Sequence, residues 1–366
     1  MNATTPQYRN EIRESRPELF RLVLMFGIVF YHVLLHAVPG SDGIAGLDAV
    51  RTLLHVAVPC FVLLSGWYGI KPSARGFIRL WTMCVFYGIP LLAVALAAGW
   101  RSFGPRLAGA AFLPLFFSLE WWFVVCYAAL YLSAPVLNVF VENSTSRRIW
   151  LAAAALFFLS FYVGHGPYNR AFAAGKNLCH FMFLYLVGNR LRALPPDVGR
   201  ALSSRRLFFA AVVVMAAACG LGSLHPLAHR LYAELFFVYN SPFLNVLAAL
   251  AFLSFLQPFR RDVKAAAWRN RTVNALSASV FPVYLLHEND FISPTAYPAL
   301  KRLVFAGLPP LQALLAAFAV AVAIFAAALA LDAVLRPLRS RLASFLASVF
   351  SRTVSAFASI CPRPVR

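Results

Sequence analysis

Apolar runs long enough to cross a bilayer as helices, at about 20 residues each, alternate along the chain with short polar loops rich in arginine. Ten such runs are read, at roughly 18–38, 49–70, 78–99, 120–141, 149–164, 177–194, 207–223, 235–256, 273–291 and 311–335. Membrane barrel strands alternate apolar and polar positions, and that alternation is absent. The expectation is an all-α polytopic integral membrane protein with about ten transmembrane helices. No run recurs in the other half at a fixed period, so an inverted repeat is unsupported. Residues 1–17 read as a polar N-terminal segment, 18–336 as the membrane domain and 337–366 as a basic tail. The tail mixes Arg339, Arg341 and Arg352 with Phe345, Leu346 and Phe350. That pattern suits an amphipathic helix on the inner leaflet, and a disordered end equally well.

Composition agrees. Of 366 residues, 61% are hydrophobic and 13% charged, and the mean hydropathy is +0.72, far from the soluble-domain average. The first apolar run is too long for a cleaved signal peptide and lacks a small-residue cleavage site. The six cysteines are scattered without metal or CxxC spacing and read as small core residues.

Charge adds orientation. With the N-terminus inside, 24 of the 33 lysines and arginines fall in cytoplasmic segments and eight in outer ones, Arg21 lying within the first run. That bias predicts both termini to be cytoplasmic. The net charge of +20 is thereby explained by topology. No basic face carries a nucleic-acid motif, so nucleic acid is not an expected partner.

Candidate chemistry begins in the first run. Arg21 and His32 are eleven positions apart, which on a helix is one face within roughly 20° and roughly 16 Å along the axis. His36 follows on nearly the same face. Ionisable groups in an apolar span usually face a bundle interior or a wet cavity, although Arg21 is also placed to snorkel to the interface. In the second run, Ser65-Gly66 is a small-residue pair that permits close helix approach. Lys71, Arg75 and Arg79 follow, a cluster suited to phosphate or simply to topology. Glu120, Trp121 and Trp122 open the fourth run, where tryptophans serve as interfacial anchors. His180 lies near the outer end of the sixth. The ninth ends Tyr284-Leu285-Leu286-His287-Glu288-Asn289-Asp290, a histidine beside acids suited to proton transfer. No metal-ligand set, nucleophile elbow or phosphate loop is present in the sequence.

Five stretches together resemble the membrane acyltransferase family 3. They are Arg21-x10-His32, Cys60-Phe61-x3-Ser65-Gly66-Trp67, Trp122-Phe123-x3-Tyr127-x2-Leu130-Tyr131-Leu132-x2-Pro135-x-Leu137-Asn138, His180-Phe181-x2-Leu184-Tyr185-x2-Gly188 and Val283-Tyr284-Leu285-Leu286-His287-Glu288-Asn289. The likeness spans residues 18–335 and is nearest to the branch that O-acetylates bacterial surface glycans. It implies ten helices in the bacterial cytoplasmic (inner) membrane, acyl-CoA (acetyl-CoA foremost) as donor on the cytoplasmic side, no bound cofactor, and a glycan or glycolipid hydroxyl as acceptor. It makes Arg21 and His32 the essential pair and His287 part of the late motif. Arg21, Ser65, Arg75 and Arg79 become candidate acyl-CoA contacts. Many members carry an Arg-x-x-Arg pair after the second span. Here Gly76 stands three before Arg79, which weakens the case for that loop.

The implied mechanism places CoA phosphates against Arg21, Arg75 and Arg79. The pantetheine arm, on the order of 15–20 Å, then runs along the first helix to His32, which takes the acceptor's proton. A covalent acyl-histidine is a variant of this scheme. His36, His180, Tyr284, Glu288, Trp121 and Trp122 are candidate acceptor contacts. The competing reading is a transporter of an organic anion or lipid-linked sugar, which also uses buried Arg and His. A non-catalytic scaffold leaves the Arg21–His32 spacing unexplained.

Overall fold

Helix α1 (Arg16–Ala37) begins at Pro17, pre-set for a first turn, with Glu18 at the positive end of the helix dipole. Val29, Val33, Leu34 and Ala37 have no exposed surface, because α1 is surrounded. It packs against α2 (Ala45–His55), α3 (Ala57–Tyr68), and helices from the C-terminal third of the chain. The computed structural model describes residues 15–39, 45–118, 121–163, 173–256 and 267–360. Most of the N-terminal segment, Glu120, Arg170, the basic loop around Arg260, Arg261 and Lys264, and Cys361 lie outside the described residues.

Among the described residues every regular element is helical. Helix α4 (Ala74–Ala97) is followed by two short pieces, α5 (Pro105–Phe112) and α6 (Pro114–Phe117), then α7 (Trp122–Glu142) and α8 (Ser146–Phe158). Next come α9 (Leu178–Arg192), α10 (Pro196–Leu202), α11 (Arg205–Gly222), α12 (Pro226–Tyr232) and α13 (Pro242–Leu256). The chain ends in α14 (Ala267–Ser277), α15 (Val280–His287), α16 (Ser293–Leu300) and the 51-residue α17 (Pro310–Ile360).

Among the described residues, six helices are long and apolar enough to cross a membrane: α1, Gly46–Tyr68, α4, α7, α11 and the first part of α17. The bent pair Pro226–Phe237 and Pro242–Leu256 makes a seventh if taken as one span. The remaining expected runs are short or broken. Helix α9 has 15 residues, about 22 Å of rise against a hydrocarbon core of about 30 Å. The run at 273–291 is interrupted between Ser277 and Val280. The turn at Val56 has a local cause: Pro59 has no N–H to give the His55 carbonyl, so the helix yields there. Large apolar side chains such as Val136, Phe209, Val213 and Leu315 are more than half exposed, as lipid-facing surfaces require.

Helices α3 and α9 touch backbone to backbone. A Cβ on Gly66 would lie 2.0 Å from the Tyr185 carbonyl oxygen, and one on Gly188 would lie 2.3 Å from that of Leu63. The small-residue pair in the second run therefore has a direct packing reason. A buried ionic knot pins α17. Asp332, with no exposed surface, accepts from Arg339 Nε at 3.1 Å, Ser279 Oγ at 2.6 Å and the Tyr87 hydroxyl. Arg336 Nη2 also donates to Ser279 Oγ at 2.6 Å. Since α17 runs unbroken past residue 336, the membrane domain and tail share one helix through at least Ile360.

Candidate active site

Two cavities meet along α1. One, about 430 Å³, is lined by Glu18, Arg21, Ser65, Lys71, Tyr127 and Tyr131 among others. Part of its wall is the turn after α3, Gly69 at φ +75° followed by Ile70 and Lys71. Asn138 Nδ2 donates to the Ile70 carbonyl at 2.9 Å, and Ile70 N–H donates to the Tyr185 hydroxyl at 3.1 Å. That hydroxyl donates in turn to Asn138 Oδ1 at 2.6 Å. Ser73 N–H donates to the Tyr131 hydroxyl at 2.9 Å. The tyrosines and asparagine of the fourth and sixth runs thus brace the turn that carries Lys71. The second cavity, about 340 Å³, shares Arg21, Ser65 and Tyr127 with the first and extends to His32. Its walls include Tyr31, His55, Trp122, Tyr239 and Tyr284.

His32 joins a cluster at the inner end of that cavity. His32 Nδ1 lies 2.9 Å from His287 Nε2 and 3.4 Å from Glu288 Oε2. His36 Nε2 lies 3.3 Å from Glu288 Oε1. The proton positions follow from one contact. His287 Nδ1 is 2.7 Å from the Val283 carbonyl, which can only accept, so Nδ1 carries the hydrogen and, in the neutral ring, Nε2 is bare. His32 Nδ1–H must then donate to it. This leaves His32 Nε2 as a lone pair in a cavity wall, the state a general base needs.

The Glu288 side chain is 5% exposed and its backbone is tightly held. The Trp121 indole N–H donates to the Glu288 carbonyl. The His287 carbonyl accepts from Ser293 Oγ and the Tyr297 hydroxyl, both at 3.2 Å. Asn289 Oδ1 takes the N–H groups of Phe291 and Ile292. The turn after α15 is therefore rigid, and it aims two side chains at α1.

The structure sorts the sequence-predicted residues. Arg21, Ser65, His32, Trp122 and Tyr284 line the cavities, and His36, His287 and Glu288 meet His32. Trp121, 1% exposed, lines neither cavity and serves as a strut beneath Glu288. His180, also 1% exposed, packs against Phe183 and lines neither. Arg75 and Arg79 are exposed on α4 outside both.

His55 escaped the sequence reading. It lines the His32 cavity, sandwiched between Tyr31 and Phe237 at centroid distances of 4.5 and 4.6 Å. Its Nδ1–H donates to the Phe237 carbonyl at 2.8 Å, leaving Nε2 as an acceptor. The missed signal was Asp48, Arg51, Thr52 and His55, a polar stripe at i, i+3, i+4 and i+7. Arg51 pairs with Asp48 at 3.2 Å, and Thr52 Oγ1 meets the Tyr232 hydroxyl at 2.5 Å.

The helices thus enclose two adjoining cavities that share Arg21, Ser65 and Tyr127, the second of them reaching His32. The family model described as an acyltransferase domain matches residues 15–332, and the chain belongs to acyltransferase family 3. No curated protein and no solved structure shows significant similarity to it.

Proposed function

We propose that this chain is an O-acetyltransferase of the bacterial inner membrane, moving an acetyl group from cytoplasmic acetyl-CoA to a hydroxyl of a surface polysaccharide or lipid-linked glycan. The observation that carries this reading is the pair of cavities that share Arg21 and Ser65 and end at His32. The second cavity alone is lined by α1 from Arg21 to His32, roughly 16 Å on a helix, which suits the reach of a pantetheine arm. The CoA phosphates are assigned to Arg21 and Lys71 at the mouth, with Arg75 and Arg79 reached from solvent. The acceptor hydroxyl oxygen attacks the thioester carbonyl while His32 Nε2 takes its proton. The His287 and Glu288 acceptors stabilise the imidazolium through Nδ1. Collapse of the tetrahedral intermediate breaks the C–S bond, and the departing CoA thiolate takes the proton back from His32.

The test uses purified protein in nanodiscs with radiolabelled acetyl-CoA and no acceptor. Expected are saturable binding that Arg21→Ala weakens and slow thioester hydrolysis that His32→Ala abolishes with binding intact. Folded wild-type protein that neither binds nor hydrolyses acetyl-CoA overturns the reading in favour of a transporter.

A further inference from the structure

The His32 cluster has one proton too few. Three atoms converge: His32 Nδ1, His287 Nε2 and Glu288 Oε2, all within 4.8 Å of one another. His287 Nε2 is bare, because Nδ1 donates to Val283. His32 Nδ1 has a single hydrogen and gives it to His287. Glu288 Oε2, although 3.4 Å from His32 Nδ1, is consequently buried with no hydrogen-bond partner among the described residues. An unpaired buried carboxylate oxygen is costly, and a cation satisfies all three atoms at once.

We propose that His32, His287 and Glu288 form a Zn²⁺ site whose occupation switches the enzyme off. Two of the three edges are near what zinc takes, and the third, between His287 Nε2 and Glu288 Oε2, is within 4.8 Å. Ligands at about 2.0–2.1 Å in a tetrahedron stand about 3.3 Å apart. His32 Nδ1 and Glu288 Oε2 are already 3.4 Å apart, and the 2.9 Å between the histidine nitrogens must open by about 0.4 Å. Three protein ligands leave a fourth position for water. His287 has the second-shell contact typical of a zinc ligand, its other ring N–H held by a backbone carbonyl. His36, whose side chain is 36% exposed and whose Nε2 lies 3.3 Å from Glu288 Oε1, provides the route by which an ion arrives.

Zn²⁺ takes the place of the hydrogen between the two histidines, and His32, bound through Nδ1, stays neutral by carrying that hydrogen on Nε2. With Nε2 protonated, the ring has no lone pair left for the proton of an attacking hydroxyl. This inhibitory step rests on His32 being the base. The binding step does not.

The experiment titrates Zn²⁺ into chelator-stripped full-length protein against a chromophoric chelator, without acyl-CoA. The exposed pair His225 and His229 is removed by His225→Ala and His229→Ala as a background. One Zn²⁺ per chain is expected, with affinity falling about 100-fold in Glu288→Gln and in His287→Ala. Folding of each variant is checked by its melting temperature and by elution as a single species. Co²⁺ in place of Zn²⁺ gives the visible absorption of a four-coordinate site, a readout that a collapsed variant does not mimic. Stoichiometric Zn²⁺ should also abolish thioester hydrolysis, with recovery on chelation. Absence of binding, or binding unchanged in both variants, overturns the site. Binding that leaves hydrolysis intact overturns the switch alone.

Discussion

At the scale of single residues, the site depends on which ring nitrogen holds a hydrogen. His287→Ala deletes the acceptor of His32 Nδ1–H. It should lower acetyl-CoA hydrolysis by about 10²- to 10⁴-fold, the range of general-base contributions, while binding at Arg21 persists. An equal loss of binding would show that His287 shapes the cavity instead. For His55 the two nitrogens can be separated. His55→Asn keeps a donor for the Phe237 carbonyl and loses the acceptor; His55→Gln does the reverse. We expect Asn to hold the melting temperature and lower transfer to acceptor, and Gln to lower the melting temperature and spare transfer. Identical behaviour of the two would reduce His55 to a packing ring. Arg21 and His32 were legible because helical spacing alone aligns them. Their partnership with His287 and Glu288 was not, since it closes over 255 positions with no local pattern to announce it. Trp121 misled for a related reason: an interfacial tryptophan and a buried strut look alike until the turn above it is known.

At the scale of elements, two contacts fix the walls of the cavities. The α3–α9 approach tolerates no side chain at Gly66 or Gly188, because a Cβ would enter the facing carbonyl. Gly66→Ala should cost about 1–3 kcal/mol, as overpacking does, read as a lower melting temperature in detergent. Because Ser65 beside it lines both cavities, acetyl-CoA binding should weaken in parallel. The Asp332 knot sits behind the break between α14 and α15, whose residues Ser277, Ala278 and Val280 line the His32 cavity. Asp332→Asn leaves Arg336 and Arg339 without their buried anion, which typically costs about 3–5 kcal/mol. A melting temperature unchanged in this variant would mean that the arginines find other partners. Helix existence was readable from apolar run length. Helix interruption was not, apart from Pro59, because the break at 278–279 depends on Ser279 and Asp332 meeting across 53 positions.

At the scale of the whole molecule, ten apolar runs could be read from the sequence, and among the described residues six helices satisfy length and apolarity together, or seven with the bent pair Pro226–Phe237 and Pro242–Leu256. Run length does not show where a tertiary turn cuts a helix, as at α14–α15. Orientation is a separate matter, and in the proposed reaction it decides from which side acyl-CoA reaches Arg21. The loop charges predict Lys71 and Arg147 inside and Phe103 outside. In a chain freed of its six cysteines, single substitutions Lys71→Cys, Arg147→Cys and Phe103→Cys can be probed in sealed cells with a membrane-impermeant maleimide. Only Phe103→Cys should label before permeabilisation. Acetyl-CoA added after permeabilisation should then slow labelling of Lys71→Cys, which lines the mouth, and leave Arg147→Cys unaffected, since Arg147 lies at the start of α8 and lines neither cavity. The second comparison carries more weight than the first. Sidedness alone is equally consistent with a transporter, whereas protection confined to the mouth ties the donor to the Arg21 end of the cavity and leaves the His32 end for the acceptor. Labelling of Lys71→Cys from outside would reverse the molecule and place the donor on the wrong face of the membrane.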